Sequence, residues 1–542
     1  MAAGPLAPQR PVPSWRLSDA VAEQTQGFVA TGFGKLPTGR ALFLEFTWPG
    51  GTAPNGWLDR LLAIAPITSA VRPDTTGADT QTQAASIAFT ATGLRRMGLP
   101  EQSLASFARA FQEGMFQEDR LRRLGDRRNG EWLSTVIDGG PAWSANVPLR
   151  PLVPSLPAAF DIPPAGLAEQ RIETHLTVHA LLLLYSQDEM AAKEWTTQVQ
   201  SQLGADSVRI VRTLELVLDV EKKTNFSREH FGFADALSQP LPYDDNGDNS
   251  AVLVGDRPAT TPDPVQGVPL GEFLIGYING HHEKAPGPVV ADCADREGRL
   301  PASQAEGFRD LGLNGSYLVA RELKQDVAAF WRSMEQNAAA LRERYPQHAQ
   351  HITGKWLAER VIGRDRDGHL LCPGNTKLPA CTDDSPDSSF LFYDRDAAAT
   401  GCPPGSHVRR AFPRDALSPN PENKQTLLQA ANNHRILRRG RKFGTKLEDP
   451  RVDDGADRGL LFMCLNTDID RQFEFVQQTW LLNSSFATLF QEVDPLVGPA
   501  GPMTIRDTPL RRIAHVDTFV RMAGGDYFFL PSLAALQFLA SL

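Results

Sequence analysis

The sequence predicts an α+β fold. Three observations carry the prediction. Residues 40–48 alternate apolar and polar, a helical run at 189–203 lies between strand-like runs at 174–185 and 208–220, and no repeat of fixed period is present. The last point excludes solenoids and propellers. Strand–helix–strand with polar connections fits a ferredoxin-like unit. A chain of 542 residues exceeds one such unit, so more than one domain is expected.

Taken in order, residues 1–20 are Pro-rich and read as an N-terminal arm. Arg40 to Trp48 reads as a half-buried strand, and 87–124 as largely helical with a break near Gly98–Pro100. The Pro, Gly and Asp of 240–270 mark a long loop and the expected inter-domain seam. An amphipathic helix is expected at 322–345, with Leu323, Val327, Phe330, Met334, Ala338 and Leu341 at helical spacing. Residues 363–405 read as a second long loop, 459–466 as a buried strand and 471–491 as a helix. The expected domains are the arm, an N-terminal unit at 21–235 and a C-terminal unit at 236–542.

Composition narrows the function. Lys+Arg number 55 against 64 Asp+Glu, a formal net charge of −9, so no global field favours nucleic acid or an anionic membrane. The five cysteines, at 293, 372, 381, 402 and 464, are odd in number and form no CxxC pair. A disulfide framework, a zinc ribbon and a CxxCH haem attachment are therefore not expected. No apolar run has signal-peptide or membrane-spanning length, which makes a cytoplasmic location the expectation, with non-standard export left open.

Four groups of residues invite chemistry. His175 and His179 lie four apart without an HExxH frame, and on a strand they share one face in a structural role. His407 stands in a Gly- and Pro-rich loop, 401–415, just before Arg409, Arg410 and Arg414. It reads either as a packed or capping histidine or as an axial haem ligand whose neighbouring arginines meet propionates. Five basic residues fall within 435–442, a nucleic-acid patch or a strand edge with an inward arginine. Asp235 sits among Gly232, Phe233, Ala234, Ala236 and Leu237, either as a helix cap or as a desolvated proton shuttle.

Together these segments resemble the dye-decolorizing (DyP-type) haem peroxidases. GlyPheAlaAspAla at 232–236, followed by SerGlnPro, is similar to the family's GxxDG motif. GlySerHisValArgArgAlaPheProArgAsp at 405–415 is similar to the segment carrying its proximal histidine, and HisArgIleLeuArgArgGlyArgLysPheGly at 434–444 to that carrying its distal arginine. Segments at 271–277, 314–331, 471–480 and 524–532 fit as well, so seven collinear matches span roughly 230–535. Ala236 replaces the second Gly of GxxDG, Phe412 and Lys442 stand where Asn and Pro are common, and Gly440 stands where some members carry an Asn.

The resemblance implies two ferredoxin-like domains with antiparallel sheets packed on helices, barrel-like as in dimeric α+β barrels. It implies one haem b per chain and a peroxidase that reduces hydrogen peroxide through a ferryl state while oxidising bulky dye-like or phenolic donors. His407 would be the proximal iron ligand, Asp235 the distal acid–base residue and Arg438 the distal arginine, with Asp494 orienting His407. Arg409, Arg410, Gly232, Phe233, Ala236, Leu461 and Met463 would contact the cofactor, with Leu460 and Phe462 the alternate pair for the distal face. His434 would not be a ligand. A monomer or homodimer without nucleic-acid or membrane partners is expected. A haem-handling protein with incidental peroxidase activity is the alternative function.

Overall fold

Strands form where β-branched and aromatic residues alternate, and helices where apolar residues return every third or fourth position. In the computed structural model, which describes residues 15–72, 81–148, 172–220, 227–371, 388–418, 420–507 and 511–542, this gives two successive strand–helix patterns. The first comprises β1 (Thr38–Phe46), α1 (Trp57–Ile64), β2 (Gln83–Phe89), β3 (Ala180–Ser186), α2 (Glu189–Ala205) and β4 (Val208–Val217). The second comprises β5 (Ser316–Gln325), α3 (Val327–Arg344), α4 (Gly354–Ile362), α5 (His407–Ala411), α6 (Lys424–Asn432), β6 (Leu437–Arg438), β7 (Arg441–Phe443), β8 (Gly459–Asn466) and β9 (Val520–Leu530). Two π-helical turns, Asp470–Glu474 and Val476–Leu481, follow β8. Side chains of Asp188 and Asp326 accept the amides of Ala191 and Ala329, fixing where α2 and α3 begin.

The strands of both halves join in one sheet. Its order is β5–β8–β7–β4–β1–β3–β2–β9, and β9 pairs again with β5, closing an eight-stranded antiparallel barrel. The seams between halves are short. Lys442 and Phe443 pair with Val217 and Leu216 at one, and Phe529 pairs with Phe89 at the other. Closure leaves these strands no free edge.

Period-two alternation then decides what lies inside. Ala41, Phe43, Leu181, Leu183, Leu318, Leu461, Met463, Leu465 and Phe528 fill one cluster within the barrel. The intervening residues, such as Leu42, Leu44, Leu182, Val319 and Cys464, pack outward against the helices. Fully burying each Leu or Phe contributes about 1.5–3 kcal/mol, so a one-residue slip of β8 would exchange its two faces at large cost.

Several expectations shift. The helix expected from residue 322 begins at Val327, because 316–325 is a strand hydrogen-bonded to β8 on one side and β9 on the other, and Leu323 belongs to it. Residues 83–89 are strand and four short helices follow up to Leu124. The helix expected over 471–491 is π-helical and stops at Leu481. His175 and His179 do not share a face, since the chain breaks between Leu176–Thr177 and β3; His175 is exposed and His179 is buried, accepting the Phe46 amide at 2.8 Å. Cys372, Cys381 and residues 1–14 of the expected arm lie outside the described residues. Cys293, Cys402 and Cys464 are free thiols. Among the described residues, no helix is long and apolar enough to cross a membrane.

Candidate active site

A cavity lies on the outer face of β5 and β8, beneath α5 and the second π-helical turn. Leu323 and Gln325 of β5 and Leu460 and Phe462 of β8 floor it, with Leu323 opposite Leu460 in register. Leu461 and Met463 do not reach it. They point into the barrel, fully buried, so the cavity takes the alternate pair, as strand alternation requires.

His407 opens α5, with Ser406 as its extended N-cap. Its Nδ1–H donates to Asp494 Oδ2 at 3.0 Å, and the ring faces the cavity with no partner on Nε2 among the described residues. Asp494 is fully buried, and its other oxygen accepts the amides of Leu496 and Val497 at 2.9 Å. Burial pushes this carboxyl up, but the His407 charge and hydrogen bond, the Val497 amide and Arg410 together hold it below its ordinary value.

Helical spacing also separates the arginines that follow. His407, Val408 and Ala411 line the cavity, whereas Arg409 and Arg410 point away from it. Arg409 lies 4.1 Å over the Phe392 ring and donates to Cys402 O at 2.8 Å. Arg410 donates to Trp480 O at 2.8 Å and Glu492 O at 2.7 Å. Both clamp α5 to its surroundings rather than meeting a ligand, which corrects the expectation that they contact the cofactor.

Across the cavity, Ser227–Asp235 forms a tight hairpin. Gly232, at φ 95°, makes its turn, and a Cβ there would come 2.6 Å from Arg366 Nη2. Gly232 therefore shapes the hairpin without lining the cavity, while Phe233, Asp235 and Ala236 do line it. Ala236 adopts φ 62°, the left-handed conformation that glycine takes freely, at a cost of about 1 kcal/mol for alanine. Its amide donates to Asp235 Oδ1 at 2.6 Å.

Arg438, on β6, stands opposite. Its Nη1 is 3.9 Å from Asp235 Oδ1, and its Nη2 donates to Leu237 O at 2.5 Å. Gln239 fixes the Arg438 backbone reciprocally, accepting its N–H and donating to its carbonyl, each at 3.2 Å. The Asp235 and Arg438 side chains remain 30% and 37% exposed, so the pair is open to a small ligand. Gly440 follows directly, and a Cβ there would meet Leu461 O at 2.8 Å, which leaves no room for the Asn some relatives of the motif carry.

Two further cavity residues, Arg414 and Arg435, carry charge without a carboxylate. Arg414 is fully buried, stacks 4.6 Å over Phe412 and donates only to Ser238 Oγ and to the carbonyls of Phe412 and Ser388. Arg435 lies 3.9 Å over the same ring and donates to Ser238 O at 2.9 Å. Among the described residues, Arg414 Nε and Arg435 Nη1 are buried with no hydrogen-bond acceptor. Burial, with the Arg438 charge adding, pushes Arg435 down to about 9, and burial pushes Arg414 well below its ordinary value. Both guanidiniums thus lie against the Phe412 ring, and neither forms an ion pair among the described residues. The sequence offered Arg414 as an anion partner, but nothing in it singled out Arg435 within the basic run.

The rest of that run is used one residue at a time. Arg439 donates to Phe28 O and Val29 O, Arg441 to Leu36 O, Gly32 O and Phe33 O, and Lys442 pairs with Asp219 at 2.7 Å. These basic side chains are turned to protein partners, as the strand-edge reading of the run requires. His434 lines the cavity, donates to Arg471 O at 2.6 Å and stacks 3.6 Å from the Phe475 ring. Its ring is held by protein on both counts.

The residues fit a haem. One imidazole presents Nε2 over an apolar floor, and two orphaned buried arginines match a pair of carboxylates. Among the described residues, no cluster of three or more His, Cys, Asp or Glu side chains could hold a bare metal ion.

No family model matches the chain. A curated relative, Peroxidase 2 of Mycetinis scorodonius, is 24% identical over 539 residues, covering 94% of this chain and 86% of that protein. The multifunctional dye peroxidase DyP2 of an Amycolatopsis species is 28% identical over 384 residues, 67% of this chain and 71% of that one. The solved DyP-type peroxidase of Anabaena sp. matches the fold at a TM-score of 0.65 and 21% identity, covering 96% of this chain and 95% of that one. A dye-decolorizing peroxidase solved with 2,6-dimethoxyphenol matches at 0.64 and 22% identity over 96% of this chain and 99% of that one. In sequence the chain is similar to curated dye-decolorizing peroxidases, and its fold matches that of solved DyP-type peroxidases.

Proposed function

We propose that this chain is a haem-dependent peroxidase that reduces hydrogen peroxide and oxidises bulky dye-like or phenolic donors. The observation that carries the reading is the opposition, across one cavity, of an imidazole backed by a buried carboxylate and an Asp–Arg pair open to a small ligand. A protein that merely carried haem would need no acid–base group facing the open side.

His407 would hold the iron through Nε2, with Asp494 fixing its tautomer and raising its basicity. Arg414 and Arg435 would meet the propionates. Bound haem supplies the electrons that break the oxygen–oxygen bond of peroxide. The remaining work falls to the chain. Asp235 takes a proton from one peroxide oxygen and returns it to the other, a task that typically contributes ~10²–10⁴ in rate. Arg438 stabilises the negative charge that grows on the departing oxygen. Leu460 and Phe462 restrict the pocket to small ligands, so a bulky donor would deliver its electron from outside.

The order β4–β1–β3–β2 in one half and β9–β5–β8–β7 in the other, each with strand–helix–strand connections, supports reading each half as a ferredoxin-like domain with a boundary near 235/236. The test of function is peroxide-dependent oxidation of a phenolic dye by haem-reconstituted protein. Turnover that survives in wild type and collapses in Asp235→Asn with haem retained supports the reading. Equal activity in both would leave only haem handling.

A further inference from the structure

The cavity contains a second carboxylate that the peroxidase reading does not use. Glu229 lines the same wall as Asp235. The bridge between Arg228 and Ala234, the Glu229 amide bonded to Phe233 O at 3.1 Å and the Asp235 amide bonded to Ser227 O at 2.9 Å make 227–235 an antiparallel hairpin. Residues 229 and 233 face each other in that ladder, and 235 lies one step further along on the same face. Glu229 and Asp235 are therefore diagonal neighbours, roughly 7–8 Å apart at their backbones, and the Asp235 charge acts on Glu229.

Glu229 is well held. Its Oε1 accepts the Phe233 amide at 2.9 Å, and its Oε2 accepts the Phe231 amide at 2.8 Å and Gln325 Nε2 at 2.9 Å. Burial pushes its carboxyl up to about 7 against the pull of those three donors, with the nearby Asp235 charge adding. Gln325 offers the complementary half of a switch. Its Oε1 is buried and has no hydrogen-bond partner among the described residues. Turning the amide over would let that oxygen accept from a protonated Glu229, so one side chain serves both protonation states.

The charged surroundings do not pair Glu229 off. On its own hairpin, Asp235 shares its sign, His230 turns away to Phe443 O at 2.8 Å and Arg228 pairs with Asp367. From β5 the neutral Gln325 donates to it, while Arg321, which lines the same cavity, pairs with Asp126. Arg438 on β6 and Arg364–Asp365 beyond α4 line other parts of the same cavity.

We propose that Glu229 is a proton store behind Asp235, acting through it rather than on peroxide itself. This rests on the peroxidase reading. A proton leaves one peroxide oxygen for Asp235, passes to Glu229, and returns through Asp235 to the other oxygen as that oxygen departs as water. Both carboxylates end as they began, and haem supplies the electrons. A single aspartate must keep its proton poised beside the peroxide; two carboxylates free Asp235 to act as base and acid in turn.

Infrared difference spectra of the haem-free protein across pH 5–9 test the store directly. The expected result is a protonated-carboxyl band that titrates in the neutral range and is lost in Glu229→Gln. In haem-loaded protein, Glu229→Gln should react with peroxide about 10-fold more slowly, less than the ~10² or more expected for Asp235→Asn, and should lose a neutral-range step in its pH profile. Gln325→Met removes the donor and should move band and step to higher pH, which keeps the test usable if Glu229→Gln folds poorly. A neutral-range band that persists in Glu229→Gln, or an unaltered pH profile in both variants, overturns the store. Haem-loaded wild type that ignores peroxide while the band titrates overturns the peroxidase reading and the relay, and leaves only the carboxyl pair.

Discussion

His407 Nδ1 donates to Asp494 Oδ2 at 3.0 Å, and Asp494 has no exposed surface. A buried carboxylate with one imidazole and two amides as partners fixes which ring nitrogen faces the cavity. Asp494→Asn preserves shape and removes the charge. The peroxide reaction of the haem-loaded variant should slow about 10–100-fold, the usual cost of losing a ligand's orienting partner. Stopped-flow rates check this, and an unchanged rate would make Asp494 a packing residue.

Asp235 and Arg438 should fail differently. Asp235→Asn keeps size and polarity but cannot exchange a proton, and should slow peroxide reduction ~10²–10⁴-fold. Arg438→Leu loses the positive charge and should cost ~10²–10³. In the double variant the losses should fall short of their product, since the two side chains stand 3.9 Å apart and act on one ligand. Full additivity would mean they act at separate steps.

Haem retention should depend on the arginines that lack an anion. Arg435→Leu and Arg414→Leu each remove a buried cation with an unused donor. The haem-free variants should be no less stable than wild-type apoprotein, because a desolvated, unpaired charge has been taken out. The loaded variants should release haem to a scavenging globin faster than wild type. Arg409→Leu should not change release by this route, since Arg409 is turned away from the cavity toward Phe392 and Cys402.

Ala236→Gly should stabilise. The backbone at 236 holds φ 62°, where glycine is favoured over alanine by about 1 kcal/mol, partly offset by the greater freedom of unfolded glycine. Urea unfolding of the haem-free protein should show a gain of up to ~1 kcal/mol with no loss in the peroxide rate. A destabilised variant would mean the Ala236 methyl packs usefully.

His179 gives stability a pH dependence of defined sign. Burial, with Arg96 adding, pushes its pKa down to about 4, and its Nδ1 accepts the Phe46 amide. The unfolded chain therefore binds a proton between pH 6.5 and 4 that the folded chain refuses, so this contribution is present above 6.5 and lost as pH falls toward 4. The full span is worth up to ~3 kcal/mol. His179→Asn should cost more stability at pH 7 than at pH 5, and an equal cost at both would contradict the assignment.

Much of the fold was legible because alternation and helical spacing are local. β8 at 459–466 and β4 from 208 fall where the pattern puts them. The start of α3 was not, because Leu323 fits a helix by spacing and is claimed by strand pairing on both sides. The facing of β8 needed the barrel. Sequence shows that Leu460 and Phe462 oppose Leu461 and Met463, but not which pair faces in. His407 and Asp235 stood out from their neighbours in the sequence, but the roles proposed for them and for Arg438 came from motif order. Arg435, Glu229 and Gln325 acquire their meaning only from burial and missing partners, which no spacing encodes.

The proposed peroxidase rests on His407 ligating a haem whose open side is worked by Asp235 and Arg438. The most direct measurement is the absorption spectrum of haem-reconstituted protein before and after one equivalent of hydrogen peroxide, in wild type, His407→Ala and Asp235→Asn. The expected result is a ferric-haem band in wild type that shifts on mixing, a weakened or altered band in His407→Ala, and an intact band in Asp235→Asn that shifts at least ~10²-fold more slowly. A band unchanged by His407→Ala, or a shift as fast in Asp235→Asn as in wild type, would contradict it.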